Sequence, residues 1–205
     1  MKIGISGKQR AGKDSVCALL LKRLPYLRRM GLADQIKSEY SRATGLPVPL
    51  IEIEKTIPLV RKQLIFIGQY RKINDPYYWV DLLAQNDNIV IPDIRFNVEI
   101  ERLLPYKAKF IRVETPREIR LQRGILSNED NVSETELDSY TKWDYIIMNN
   151  GNISDLSAKV DRAITELGLD QEPGDEPSKY SPASGVAEAF SFAMNYWQER
   201  GLVTL

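Results

Sequence analysis

Nine residues near the amino end, Gly7-Lys8-Gln9-Arg10-Ala11-Gly12-Lys13-Asp14-Ser15, constrain the fold more than any other stretch. They have the GxxxxGK spacing and lie between a β-prone apolar run, Lys2–Ser6, and a segment whose Val16, Leu19, Leu20 and Leu24 fall on one helical face. Strand, glycine loop and helix in that order make an anion cradle. Gly7 and Gly12 permit backbone angles that turn successive N–H groups into one nest. The helix that follows aims its unpaired N–H groups and positive dipole end at the same point. Lys13 would then reach the β- and γ-phosphates of a nucleoside triphosphate, with Gly7, Arg10, Ala11, Gly12, Asp14 and Ser15 as the other nucleotide-binding candidates. Cys17, on the same helix, reads as core rather than nucleophile.

The rest of the chain repeats the alternation. Further β-prone runs lie at Arg28–Leu32, Asn88–Pro92, Lys109–Val113 and Tyr145–Met148, separated by helical patterns. Five strands alternating with helices predict an α/β domain with a mostly parallel sheet. Among the helices, Asp34 is expected to cap one carrying Ile36 and Tyr40, with Gly45 as its stop. Thr56, with Pro58 in the first turn, should open one with a stripe of Val60, Leu64 and Ile67. Ser154 should cap one with Leu156, Val160, Ile164 and Leu167 in register, ended by Gly168. Two segments break the pattern. Residues 124–142 are polar and separate the fourth and fifth strands; residues 170–185 are rich in Pro, Gly, Ser and acid and read as a linker. Beyond it, Phe190, Met194 and Trp197 have helical spacing, in a tail (186–205) that either docks on the domain or meets a partner, a second copy included. The expected domain is 1–169.

Composition removes several chemistries. The 205-residue chain has no histidine and one cysteine, so His-dependent triads, His or four-thiolate zinc sites and internal disulfides are excluded. Lys plus Arg and Asp plus Glu number 28 each, so no overall field favours nucleic acid or an anionic membrane. No apolar run approaches the ~20 residues that span a bilayer, and the start shows no secretory pattern, so the cytoplasm is the expected location.

The ionic residues that remain suit phosphoryl transfer, where positioning and charge neutralisation dominate. Asp14 stands where a hydroxyl usually follows the loop lysine; it is either a Mg²⁺ ligand, with Ser15 beside it, or a first-turn residue interacting with the helix dipole. Asp93 follows the apolar run Ile89-Val90-Ile91 and either holds Mg²⁺, orients an acceptor, or caps the next element. Pro92 lacks the N–H for a ladder bond, so the strand is expected to end there, leaving Asp93 and Arg95 on the site's rim. Arg117, Arg120 and Arg123 follow the fourth strand at three-residue spacing, on one side of a helix just before the polar segment. They form either a phosphate-facing set or a solvated basic face, and Arg120 and Arg123 lie nearer the polar segment. Tyr77, Tyr78 and Trp79 are base-stacking candidates or core.

GKQRAGKDS resembles the GKD-type phosphate loop of phage deoxynucleoside monophosphate kinases and of animal phosphomevalonate kinases. The likeness extends, in order, through Leu32-Ala33-Asp34-Gln35-Ile36-Lys37, through Arg61, Gly68 and Arg71 with Asp75-Pro76 and Trp79-Val80, and through Pro92-Asp93-Ile94-Arg95-Phe96-Asn97. In the last of these, Val98 separates Asn97 from Glu99 and offsets the pattern by a residue. Asp144-Tyr145-Ile146-Ile147-Met148-Asn149-Asn150-Gly151 resembles the last strand and its turn, so the similarity covers residues 2–156. It implies a P-loop NTPase fold of the nucleoside-monophosphate-kinase kind, with 124–142 as a lid whose arginines exclude water. It implies ATP and Mg²⁺ as cofactors, and Lys13, Arg120, Arg123 and Asp93 as catalytic residues. Lys37, Arg61, Arg71 and Arg95 become candidates for the acceptor's phosphate. The implied acceptor is a small phosphate monoester, a deoxynucleoside monophosphate first, phosphomevalonate or dephospho-coenzyme A next. A nucleotide-dependent switch is the reading from another class.

Overall fold

The structure is a computed structural model that describes residues 1–54 and 57–170. Five parallel strands stand in the order β2-β3-β1-β4-β5: β1 (Lys2–Ser6), β2 (Arg28–Arg29), β3 (Ile89–Ile94), β4 (Lys109–Glu114) and β5 (Tyr145–Met148). β1 is central and wholly buried, with β3 on one side and β4 on the other. Its alternate residues Ile3 and Ile5 join a core with Val16, Cys17 and Leu20 of α1 (Lys13–Arg23) and Leu156, Val160 and Ile164 of α9 (Ile153–Glu166). The intervening Gly4 has no room for a side chain, since a Cβ would come within 2.7 Å of the Phe110 ring. Cys17 is core, as its place on the buried face of α1 implies.

The described residues divide into two compact units, Met1–Gly31 with residues 83–170, and Leu32–Leu82. The first unit holds the sheet, α1 and α9, together with α6 (Asn97–Leu103), α7 (Arg117–Gln122) and α8 (Val132–Thr135). The second is helical: α2 (Leu32–Thr44), α3 (Val48–Glu54), α4 (Pro58–Asn74) and most of α5 (Tyr78–Ala84). Within it, a Cβ on Gly68 would lie 3.1 Å from the Ile36 side chain, so the bare backbone of α4 lets Ile36 of α2 close on it. The indole N–H of Trp79 donates to the Gly68 carbonyl at 2.9 Å.

Several boundaries move from their sequence expectations. β2 keeps only Arg28 and Arg29, and Leu32, expected to end it, begins α2 instead. β3 does not stop at Pro92. The register passes from Gly4 opposite Ile91 to Ser6 opposite Ile94, so β3 spends one extra residue where proline offers no donor, and the strand resumes beyond this bulge. Asp93 is therefore inside the strand's last turn of pleat rather than after it. Asp34 lies in the first turn of α2, not at its cap. Asn152, not Ser154, caps α9: its side chain accepts from Asp155 N–H at 3.0 Å while the Asp155 carboxylate accepts from Asn152 N–H at 3.0 Å. The acid three residues on makes the pair reciprocal, which Ser154 has no partner to do. Pro58 opens α4 as expected, with Ile57 at the cap position; Thr56 lies outside the described residues, as do the tail 186–205 and all but the first residue of 170–185. Among the described residues no helix is long and apolar enough to cross a membrane.

Candidate functional site

The glycine loop lies where β1 ends between β3 and β4, the carboxyl edge at which ligands gather on parallel sheets. Three of its residues have positive φ: Gly7 at 151°, Arg10 at 61° and Gly12 at 99°. Neither glycine is replaceable. A Cβ on Gly7 would meet the Val113 carbonyl at 2.4 Å, and one on Gly12 would meet Asn149 Nδ2 at 2.2 Å. Arg10 bears its left-handed angle with its side chain turned back, donating to the Ile125 and Arg123 carbonyls, each at 2.9 Å.

The Ala11 carbonyl is pinned by three donors: Asn149 Nδ2 at 2.7 Å, Thr115 Oγ1 at 2.9 Å and Arg123 Nη1 at 3.2 Å. In a trans peptide the carbonyl and the following N–H point opposite ways, so holding this oxygen fixes the direction of the Gly12 N–H. Arg123 also donates to the carbonyls of Arg10 and Asn149. Its guanidinium braces the loop from beneath. Thr115 and Asn149 stand immediately after β4 and β5, and the sequence reading gave neither a role in the site. Their positions at strand carboxyl ends were the available signal.

Lys13, first residue of α1, folds over the loop and donates to the carbonyls of Gly7 at 2.7 Å and Lys8 at 3.0 Å. Burial, then the positive charge of Arg95, pushes its pKa down to about 8, while Glu134 and Asp14 oppose the shift. Asp14 is exposed in the first turn and Ser15 half-buried beside it. Asp93 is half-buried in the β3 bulge. Among the described residues no three acidic or thiol side chains converge as a metal-binding group. A Mg²⁺ site built on one or two carboxylates plus phosphate oxygens needs no such cluster, and an exposed carboxylate next to the loop lysine fits that kind of site.

The polar segment 124–142 reaches the loop through named contacts. Ser127 N–H donates to Gln9 Oε1 at 2.9 Å, Lys8 Nζ donates to the Glu134 carbonyl at 2.8 Å, and Gln9 N–H donates to Glu134 Oε2 at 2.7 Å. Arg95, half-buried after β3, pairs with the other Glu134 oxygen and donates to the Ser133 carbonyl at 3.2 Å. Of the three spaced arginines, Arg120 is 6 % exposed, donates to the Gln9 carbonyl at 3.3 Å and keeps an Nε with no partner. Arg117 is exposed and bound to Glu129. Arg112, which sequence reasoning passed over, is a buried cation in the middle of β4, touching Ser6 Oγ at 3.2 Å and lying over the Trp143 ring. A charge inside the apolar run Phe110-Ile111-Arg112-Val113 was the signal. Lys8, Arg112 and Arg120 line a cavity of about 380 Å³ with Glu114, Thr115 and Asp138.

Lys37, Arg61 and Arg71 belong to the second unit. Lys37 pairs with Glu52 and Asp34, and Arg71 donates twice to Glu39, at 2.9 and 2.7 Å, beneath the Tyr78 ring. Arg61 is exposed. Trp79 is buried at 2 % exposure, so of its two readings the core is the one the structure bears.

No family model matches the chain. A protein of Acanthamoeba polyphaga mimivirus, its name provisionally that of a deoxynucleotide monophosphate kinase, is 24% identical over 187 residues, covering 77% of this chain and 93% of the relative. Among solved structures, shikimate kinase from Aquifex aeolicus aligns with a TM-score of 0.50 at 20% identity, covering 82% of this chain and 99% of that one. Shikimate kinase from Acinetobacter baumannii, solved with shikimate, aligns with a TM-score of 0.49 at 20% identity, covering 82% and 94%. The five-stranded parallel sheet, its order and the loop after β1 are thus those of the P-loop kinase fold.

Proposed function

We propose that the protein transfers the γ-phosphoryl group of Mg-ATP to a small phosphorylated acceptor, a deoxynucleoside monophosphate. The observation that carries this reading is the loop itself: three positive-φ residues, two of which admit no side chain, with a half-buried lysine closed over them. Such geometry is the one by which successive backbone N–H groups gather on an anion. The acceptor class is supported by the mimiviral relative's name and by the ordered resemblance over residues 2–156.

Lys13 would exchange its two carbonyl partners for β- and γ-phosphate oxygens, and the pinned Ala11–Gly12 peptide would present its N–H to them. Asp14, Ser15 and Asp93 are the residues to hold Mg²⁺, which neutralises charge on the transferring group. The bond from the γ-phosphorus to the β-bridging oxygen breaks as one forms to the acceptor's phosphate oxygen, giving ADP and a diphosphate. Arg120, buried with an unused Nε, would face the transferring group; Arg123 would act by holding the loop. Arg95, whose charge acts on Lys13, is the first-unit candidate to serve both the polyphosphate and the acceptor's phosphate, whereas Lys37, Arg61 and Arg71 rest on the resemblance alone.

An acceptor panel tests the proposal: the deoxynucleoside monophosphates, phosphomevalonate, dephospho-coenzyme A and shikimate, each with Mg-ATP, followed by ADP release. The expected result is turnover with one or more of the deoxynucleotides and the diphosphate as product. Turnover with another acceptor alone, or slow hydrolysis indifferent to every acceptor, would overturn it.

A further inference from the structure

Glu134 occupies a place unusual for a surface-segment carboxylate. Its side chain is 10 % exposed, and its two oxygens accept from a loop amide, Gln9 N–H at 2.7 Å, and from the Arg95 guanidinium. Its charge is among those felt by Lys13. A carboxylate holding a backbone N–H of an anion nest together with a guanidinium satisfies the donors that a phosphate oxygen would satisfy. We infer that Glu134 is a built-in occupant of a phosphate subsite formed by Gln9 N–H and Arg95 beside Lys13, and that an incoming polyphosphate must expel it. The inference rests on the phosphate-loop reading and adds to it a competition within the chain.

The surrounding contacts give the expulsion a consequence. α8 carries Glu134 and is only four residues long, too short to persist on helix propensity. It is tied down by Lys8 on the Glu134 carbonyl, by Arg95 on the Ser133 carbonyl, and by Glu136, whose carboxylate accepts from Asn97 N–H at 2.7 Å. Lys8 and Arg95 are also cations that a bound phosphate would compete for. When phosphate takes them, α8 loses its ties as well as its carboxylate anchor. Without phosphate, Glu134 offsets the repulsion between Lys13 and Arg95 that an empty nest would leave. A carboxylate carries one negative charge, a triphosphate several. The exchange therefore favours the ligand while keeping the empty loop ordered.

Glu134→Gln keeps the shape and an oxygen for Gln9 N–H while removing the negative charge that faces Arg95. Titration calorimetry with ATP and with inorganic tripolyphosphate, which lacks base and sugar, is expected to show each binding on the order of tenfold tighter to the variant than to the natural chain. Equal or weaker binding by the variant would overturn the inference and leave the loop reading intact. Absence of binding to both proteins would overturn the loop reading and the inference with it. The natural chain supplies an independent measurement. Tripolyphosphate is expected to speed hydrogen exchange at the amides of residues 132–135 while slowing it at residues 9–13. Slower exchange at 132–135 on binding would mean that the segment closes with Glu134 in place, and would reject the expulsion.

Discussion

The glycine loop and the polar segment 124–142 meet at the same place but are held there by different physics. The loop is fixed by exclusion: positions that admit no Cβ, a carbonyl pinned by three donors, and a strand and helix of the buried core on either side. The segment is fixed by charge. Glu129, Glu134 and Asp138 each pair with a cation of the first unit, Arg117 and Arg120, Arg95, and Lys8 in turn. Steric exclusion has no substitute partner, whereas a carboxylate on an arginine can be replaced by any better anion. One region can therefore serve as a rigid template while the other exchanges its partners with a ligand.

The largest effect should come from removing the charge at the template's mouth. Lys13→Ala is expected to lower phosphoryl transfer by roughly a thousandfold, as loss of a preorganised charge at the reacting centre does, with its thermal unfolding profile retained. Near-normal turnover would detach the loop from the chemistry. Next, Gly12→Ala forces a side chain into a φ of 99° and against Asn149. It should cost about 3 kcal/mol of stability, read by chemical denaturation. A neutral result would mean that the loop relaxes freely, and the contrast with the polar segment would fail.

A smaller effect separates charge from shape within the loop. With its pKa near 8, Lys13 loses its proton in the ligand-free protein well before an ordinary lysine does. Affinity for tripolyphosphate is expected to fall by up to about tenfold per pH unit above 8, with net proton uptake on binding near pH 8. Stability should move the other way. The unfolded chain holds this proton more tightly between pH 8 and 10.5, so the penalty for burying the ammonium is full below pH 8 and fades as pH rises through that window. Calorimetry from pH 7 to 9.5, with Lys13→Met as the reference for both quantities, reads the two opposed slopes. Parallel slopes would remove the buried ammonium from the account.

The same contrast explains what the sequence disclosed. β1, β5 and the loop were legible because each needs residues of one kind in one order, apolar residues in β1 and glycines where φ turns positive. β4 exceeded its expected bounds by one residue. β3 was misread at Pro92 because a bulge lets the strand resume after the missing donor, and no local signal announces a bulge. Loop braces such as Thr115 and Asn149 were readable only as strand ends, since their partner, the Ala11 carbonyl, lies over a hundred residues away. Glu134 was not legible at all. One glutamate among several in a polar stretch acquires its place only when the fold brings Gln9 and Arg95 to it. Arg71 shows the reverse: chosen for an acceptor's phosphate, it is engaged with the buried Glu39 of its own unit, a partner the spacing did not suggest.

The smallest effect is expected at Arg117, and its smallness is informative. Arg117 makes more hydrogen bonds to Glu129 than Arg120 does, yet both Arg117 and that carboxylate face water. Solvent screens such a pair and leaves it little net value. Arg120, by contrast, is buried, with an Nε no protein group satisfies. Arg117→Ala should leave the melting temperature and tripolyphosphate affinity unchanged within error, while Arg120→Ala lowers turnover. If the exposed arginine proved the more costly to remove, charge pairing at the outer edge of the segment would be setting its position. The Glu134 anchor would then lose its standing as the contact that ligand must displace.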